Sequence, residues 1–355
     1  MSTDLLSLTA DLVAIESVSH HEQEIADLVE DKLESCNWLD VVRIDDNVIA
    51  RTSYGRSTRL ILAGHLDTVP PAGKVAPRIE GDTLYGLGAA DMKGSLAVML
   101  DLAAQDRDPS LDITFCFYSC EEVARLENGL VKLWEHSPEL LDADAAILGE
   151  PTDCFVEAGC QGTLRATIHL GGKRAHSARP STGINAIHRL GPVLSRLAGY
   201  ERRSVEIDSC VYEEQLQAVA VSGGVATNVV PDAVELVVNH RFAPDRTPNE
   251  ATRYLEEVFN DQLNGDYGDS IVVDEFAEAA RPSLESPILS SLVALSGNAP
   301  RAKVGWTDVA TFVSHGIPAT NFGPGDPRLA HHAQERVEAE SLERAREILS
   351  ALVFL

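Results

Sequence analysis

Apolar residues recur at helical spacing near both ends of the chain. Residues 4–35 carry two successive apolar stripes, and 339–352 repeat the pattern. The same period returns over 96–104, 185–197 and 251–263. We therefore predict amphipathic or buried helices over all of these segments.

Short apolar runs lie between these helices and predict strands. They span residues 41–51, 59–63, 112–119, 145–148, 163–170, 218–221, 233–242 and 270–276. The run Arg-Leu-Ile-Leu-Ala at 59–63 is typical of a strand buried on both faces. Alternating strands and helices indicate an α/β sheet protein.

The middle of the chain has a different order of elements. Over 163–281 the predicted order is β-α-β-β-α-β, which is the ferredoxin-like pattern. We therefore predict a small α+β domain at 163–281, inserted into a larger α/β domain formed by 1–162 and 282–355.

Composition excludes several classes of protein. The 355 residues are 44% hydrophobic and carry a formal net charge of -26. So acidic a chain repels phosphate backbones and anionic lipids, so we expect neither nucleic acid nor a membrane as partner. The start lacks the basic and apolar regions of a secretory signal. The six cysteines are scattered without a Cys-x-x-Cys pair. Both features favour a reduced protein in the cytoplasm.

Five segments carry metal-binding residue types, and four of the five follow a predicted strand or begin a helix. They are His65, Asp91, Glu121-Glu122, Glu150 and His331-His332. In open α/β sheets, ligands bind outside the carboxyl ends of the strands, so these side chains can converge. Two imidazoles and three carboxylates suit two zinc ions, with one carboxylate bridging them.

Each of these signals is weak alone. His65 with Asp67 also fits a hydrogen-bonded pair, and Asp91 also fits a helix N-cap. Glu121-Glu122 also fits a solvated acidic pair. Adjacent residues point in different directions, so one of these two glutamates can bind metal while the other serves as general base. The joint order and spacing of the set favours the metal site.

The chain resembles the co-catalytic metallopeptidase family that contains aminoacylase, glutamate carboxypeptidase and acetylornithine deacetylase. The matching stretches cover nearly the whole chain: Gly64–Pro70, Gly86–Gly94, Cys120–Glu122, Gly149–Pro151, Ala175–Pro180 and His331-x-x-x-Glu335. The resemblance implies a zinc-peptidase-like mixed-sheet catalytic domain with helices on both faces. It also implies that the inserted domain forms a homodimer.

The resemblance also assigns roles to residues. His65, Asp91 and Glu150 would bind one zinc, and Asp91, Glu122 and His331 the other, with cobalt able to substitute. Glu121 would be the general base and Asp67 would orient His65. His176, from the partner subunit, would stabilise the oxyanion.

Three further stretches resemble the branch of the family that removes succinate from N-succinyl-diaminopimelate. They are Thr227–Pro231 with His240-Arg241, Gly305–Asp308 and Asn321–Gly325. The residues that would hold this small anionic substrate are Asn228, Arg241, Arg179, Thr307 and Gly323. Arginine suits the task because its planar fork pairs with a carboxylate bidentately.

Alternatives remain open from the sequence. The same metal site would serve N-acetylornithine, another N-acyl amino acid or a dipeptide, and a metal-free binding protein could keep the fold. Cys120 departs from the acid or glycine-acid that often precedes the glutamate pair in this family. His332 competes with His331 as the ligand.

Overall fold

The computed structural model describes residues 4–71 and 76–354. The helices are α1 Leu5–Ala14, α2 Gln23–Glu34, α3 Gly94–Ala103, α4 Gly129–His136, α5 Ala186–Ala198, α6 Pro248–Phe259, α7 Pro287–Ser296, α8 Val309–Ser314 and α9 Ala339–Phe354. The first nine strands are β1 Asp40–Ile44, β2 Asn47–Arg51, β3 Arg59–His65, β4 Arg78–Glu80, β5 Thr83–Tyr85, β6 Asp112–Tyr118, β7 Ala145–Leu148, β8 Glu157–Ala158 and β9 Gly162–Gly171. The others are β10 Ala175–His176, β11 Ser204–Ile207, β12 Cys210–Glu213, β13 Gln215–Gly223, β14 Val229–Val230, β15 Ala233–Phe242, β16 Ser270–Ala277, β17 Arg301–Ala302, β18 Ala319–Asn321 and β19 Arg336–Glu338.

The chain divides into two compact units. The first takes in residues up to 159, 282–302, and those from 307 onward, and the second takes in 160–281 with 303–306. Residues 303–306 are held to the rest of the second unit by hydrogen bonds. The N–H of Gln161 donates to the carbonyl of Lys303, and the Trp306 indole donates to the carbonyl of Glu278.

The first unit contains a mixed eight-stranded sheet in the order β1-β2-β6-β3-β7-β18-β8-β17. Its centre is parallel, because β3 pairs in parallel with both β6 and β7, and β7 pairs in parallel with β18. The β1-β2 and β2-β6 pairs are antiparallel. A separate short antiparallel sheet has the order β19-β5-β4.

Helices cover both faces of this sheet, as predicted. Residues of α1, α2, α3 and α9 form one apolar cluster with alternate residues of β3 and β6, among them Leu60, Leu62 and Phe115. Every residue of β6 is buried, so its opposite face is covered too. There α8 packs near β7 and β18, and its Phe312 contacts Trp134 of α4. Burying one such phenylalanine contributes about 1.5–3 kcal/mol.

The second unit has the predicted β-α-β-β-α-β order. Strands β9, β13, β15 and β16 form an antiparallel sheet in the order β13-β15-β9-β16, with α5 and α6 as the two helical connections. This is the ferredoxin-like arrangement. Helix α6 begins with a capping box between Thr247 and Glu250, with Pro248 at its first turn. The hairpin β11-β12, which the sequence analysis did not predict, follows α5.

Within residues 4–71 and 76–354, no helix combines the length and apolarity needed to cross a membrane.

Candidate active site

Three neighbouring parallel strands end beside one another in the first unit. Strand β3 ends at His65, and β6 and β7 flank it. Glu121 follows the end of β6, and Glu150 follows the end of β7. Because parallel strands end at the same edge of a sheet, the topology gathers these side chains, as expected from the sequence.

Two histidines and two carboxylates of the expected ligand set are in direct contact. The His65 Nε2 lies 3.1 Å from Asp91 Oδ1, and the His331 Nε2 lies 2.7 Å from Glu122 Oε1. The same His331 nitrogen is 3.5 Å from Asp91 Oδ2. Asp91 thus lies between the two imidazoles, with one oxygen toward each.

The spacing of these groups suits a metal ion. His65, Asp91 and Glu122 each offer a ligand atom, and these atoms all lie within 4.8 Å of one another. Nitrogen and carboxylate oxygen ligands in such a cluster fit divalent cations of the zinc type.

His331 and His332 point to different partners. His331 reaches the acids and has a left-handed backbone, with φ 61°. The Nδ1 of the exposed His332 instead accepts the N–H of Gln334 at 3.1 Å. The geometry therefore favours His331 as the ligand.

Glu121 and Glu150 are the remaining acidic residues of the site predicted from the sequence. Glu150 is buried. Burial raises the pKa of Glu121 well above its usual range; His65 opposes this rise, and the nearby acids Glu150, Asp308 and Glu122 add to it. A carboxylate that holds a proton this readily is suited to accept one from water.

Asp67 is a fully buried hydrogen-bond acceptor beside His65. It accepts the Ser19 hydroxyl at 2.6 Å and the backbone N–H groups of Glu121 and Glu122, each at 3.0 Å. One of its oxygens is 3.5 Å from His65 Nδ1, whose closer contact is the Asp67 carbonyl at 3.0 Å. Burial raises the Asp67 pKa, but these hydrogen bonds and His65 prevail and lower it to about 2. The residue is therefore ionised and fixes two segments of the site.

Glu335 has a role that the sequence analysis did not identify. Its Oε1 accepts the N–H groups of Ala90 and Asp91, both at 3.0 Å, so it holds the backbone that carries Asp91. Burial and the nearby Asp91 charge raise the Glu335 pKa to about 7. The His-x-x-x-Glu spacing was visible, but spacing alone does not reveal a backbone acceptor.

Two more buried groups near the acids were also missed. Asp308 accepts hydrogen bonds from the Asn128 amide at 2.8 Å and the Thr311 hydroxyl at 2.7 Å. Lys93 is 2% exposed and donates to the Ile15 carbonyl at 2.7 Å. Burial lowers the Lys93 pKa to about 8. Both residues lie in stretches that resemble the family, Gly86–Gly94 and Gly305–Asp308, but such a stretch does not reveal which groups its side chains contact.

Thr307 and Gly323 lie in the first unit with packing partners. The Thr307 hydroxyl donates to the Asn321 amide oxygen at 2.9 Å. A Cβ added at Gly323 would stand 2.5 Å from the Gly149 carbonyl oxygen and 2.6 Å from that of Glu150. The lack of a side chain therefore lets residue 323 approach the backbone that carries Glu150.

The other residues expected at the substrate lie in the second unit. His176 is in β10, which pairs with β14, and its carbonyl accepts the Arg179 N–H at 2.8 Å. The Asn228 carbonyl accepts the Ser177 N–H at 2.9 Å, so His176, Arg179 and Asn228 belong to one local cluster. Arg241 lies in β15, opposite Thr163. Burial lowers the Arg241 pKa.

Comparisons with known proteins identify related sequences over nearly the full chain. The model of Peptidase family M20/M25/M40 matches residues 61–354. A Mycobacterium tuberculosis protein provisionally named succinyl-diaminopimelate desuccinylase DapE is 49% identical, covering 98% of this chain and 97% of the relative. The succinyl-diaminopimelate desuccinylase of Corynebacterium glutamicum is 44% identical, covering 98% and 95%. The fold is shared with a Staphylococcus aureus tripeptidase structure at a TM-score of 0.81 and 22% identity, covering 99% of this chain and 98% of the other.

Proposed function

Since the chain belongs to Peptidase family M20/M25/M40, we propose that it hydrolyses N-succinyl-LL-2,6-diaminopimelate to succinate and LL-2,6-diaminopimelate. The observation that carries the proposal is the similarity, over nearly the full chain, to two relatives named succinyl-diaminopimelate desuccinylase. The cluster of His65, Asp91 and Glu122 supports it, because these side chains can hold a metal ion. The product is a precursor of lysine, which places the reaction in diaminopimelate and lysine biosynthesis.

The family uses divalent metal ions, and the donor set of this chain fits them. We assign His65, Asp91 and Glu150 to one zinc ion and Asp91, Glu122 and His331 to the other, with cobalt as a substitute. Such ions polarise an amide carbonyl and lower the pKa of water to near neutrality.

The protein's own groups then move the protons. Glu121 takes a proton from the attacking water and later delivers it to the leaving amine nitrogen. Asp67 keeps His65 oriented through Nδ1 and holds the backbone of Glu121. We assign stabilisation of the oxyanion to His176 of the partner subunit.

Substrate carboxylates need cationic or donor groups. We assign this task to Arg241, Arg179 and Asn228, and we also assign Thr307 and Gly323 to substrate binding. A guanidinium pairs with a carboxylate in two parallel hydrogen bonds, so an arginine both binds the substrate and fixes its orientation.

We propose that the second unit forms a homodimer with a second copy of the chain. Its edge strand β13 exposes Val219 (57%) and Val221 (62%), and the neighbouring helix α5 exposes Ile187 and Leu194 (42% each). An apolar edge strand is a surface that a second chain covers. Val221→Lys should give monomers in analytical ultracentrifugation, whereas Val272→Lys, on the opposite edge strand β16, should leave dimers. Equal sedimentation of both variants as dimers contradicts this interface.

We also place the protein in the cytoplasm. All six cysteines are buried free thiols, as expected of a protein from a reducing compartment.

A substrate panel tests the function. The purified chain, with and without added zinc, is given N-succinyl-LL-2,6-diaminopimelate, N-acetylornithine, another N-acyl amino acid and a dipeptide, and amine release is followed. We expect zinc-dependent turnover with the highest kcat/KM for the succinyl substrate. A higher kcat/KM for another amide would replace the substrate while keeping the hydrolase. Failure to bind metal and to hydrolyse any amide would point to a binding protein.

A further inference from the structure

The turn that carries Glu121 and Glu122 is held by side chains from distant segments. We name residues 119–122 the catalytic turn. Each of its four successive N–H groups donates to a buried side-chain oxygen at 3.0 Å: Ser119 to Asn47, Cys120 to Glu22, and Glu121 and Glu122 to Asp67. Strand β6 ends at Tyr118, so residues 119–122 have no neighbouring strand, within the ranges that the structure describes, to accept their N–H groups. The oxygens of these three side chains accept them instead.

The turn needs this support because its backbone is strained. Cys120 has φ 58°, in the left-handed region that disfavours residues with a Cβ. Such a conformation is sterically unfavourable for a residue with a Cβ and persists only where the surroundings impose it. Cys120 lies directly before the proposed general base, so a change at residue 120 redirects Glu121.

Glu22 supplies the bond at this strained residue. Its Oε1 accepts the Cys120 N–H at 3.0 Å and lies 3.3 Å from the Cys120 sulfur, close enough to accept the thiol proton. Glu22 is 1% exposed, and a buried carboxylate is costly unless it has partners. The contact thus fixes both the backbone and the side chain of Cys120.

The Glu22 side chain is directed to the catalytic turn and not to its own helix. Glu22 is the N-cap of α2, yet within the described part of the chain its side chain makes no capping bond to its own helix. Its carboxylate is thereby available to the catalytic turn.

The segment that leads to Glu22 is tied to the loop that follows β3. The Ser17 hydroxyl donates to the Leu66 carbonyl at 2.8 Å, and the Thr68 N–H donates to the Ser17 carbonyl at 2.9 Å. The Ser19 hydroxyl donates to Asp67 at 2.6 Å. Glu22 is therefore anchored to the same frame that carries His65 and Asp67.

We propose that Glu22 is a positioning residue, which fixes the catalytic turn so that Glu121 is held at the attacking water. This inference rests on the proposed role of Glu121 as general base. It also gives residue 120 a function, because the cysteine that departs from the family pattern is the residue that Glu22 holds.

The test compares zinc-loaded Glu22→Ala and Glu22→Gln with the wild type. Alanine removes the acceptor, whereas the glutamine carbonyl oxygen still accepts the Cys120 N–H. Glu24→Ala is the matched control, because Glu24 is an exposed acid of the same helix end. Steady-state kinetics are normalised to folded, metal-loaded protein. Hydrogen exchange by mass spectrometry follows peptides that contain the catalytic turn.

We expect Glu22→Ala to lower kcat about 10- to 100-fold with KM nearly unchanged, the range expected for a displaced catalytic group. Exchange in the catalytic turn should be faster. Glu22→Gln should restore most of kcat and the slow exchange, and Glu24→Ala should match the wild type. Wild-type kcat in Glu22→Ala, an effect confined to KM, or a lower kcat with unchanged exchange would each overturn the proposal. If the wild type prefers another amide of the panel, the comparison is made on that amide, so an error in the substrate leaves this test intact.

Discussion

Replacing Glu335 with glutamine should stabilise the metal-free protein at pH 8. The Oε1 of Glu335 accepts two backbone N–H groups, and its Oε2 has no hydrogen-bond partner among the residues that the structure describes. Glutamine keeps the accepting oxygen and the shape, and it removes the buried charge next to Asp91. The change therefore isolates the cost of that charge.

The magnitude follows from the pKa of Glu335. Burial and Asp91 raise it from 4.5 to about 7 in the folded chain. Between these values the folded chain holds a proton that the unfolded chain has lost, so stability falls as the pH rises. The loss is complete above pH 7 and amounts to about 3 kcal/mol at pH 8, compared with about 1 kcal/mol at pH 5.

Urea unfolding of chelator-treated protein measures this difference. We expect Glu335→Gln to exceed the wild type by about 3 kcal/mol at pH 8 and by about 1 kcal/mol at pH 5. Glu347→Gln is the control, since Glu347 is an exposed acid of α9. An equal gain at both pH values, or none at pH 8, would refute the reasoning.

Three further outcomes are expected. Glu121→Gln should retain bound zinc, measured by elemental analysis, but lose about 10²- to 10⁴-fold in kcat, and near-normal turnover would remove Glu121 from its role. Asp67 has a pKa lowered from 3.8 to about 2, so its stabilisation is present above pH 3.8 and is lost as the pH falls to about 2. Metal-free Asp67→Asn should lack this acid-sensitive part, about 2 kcal/mol in urea unfolding, and an acid response equal to that of the wild type would contradict it. His331→Ala should lower zinc content whereas the matched His332→Ala should not, and the reverse result would exchange their roles.

Sequence patterns predicted the elements whose signals are local. The strand predicted over 145–148 is present with those bounds, and the buried helix predicted over 96–104 spans Gly94–Ala103. Most metal-ligand candidates of the first unit were recognisable because they lie just past a strand or at the start of a helix, where the topology of an α/β sheet is predictable; His331 lies in a loop, and only its spacing from Glu335 indicated it.

Contacts between distant segments were not predictable in the same way. Glu335 and Asp91 are 244 residues apart, and Glu22 and Cys120 are 98 apart. No period or motif links such pairs, because a side chain that accepts a backbone N–H leaves no pattern at the donor. The strands β4, β5 and β19 have three residues each, too few for a recognisable alternation.

The place of β18 in the eight-stranded sheet has a consequence for biosynthesis. It lies between β7 and β8, and its Asn321 amide donates to the Glu157 carbonyl, 164 residues earlier in the chain. At about 5–20 residues per second, a ribosome needs roughly 10–30 s to cover that interval. Throughout this time β18 is absent from the nascent chain, so the edges of β7 and β8 that will receive it are unpaired, and unpaired strand edges are prone to pair with other polypeptides.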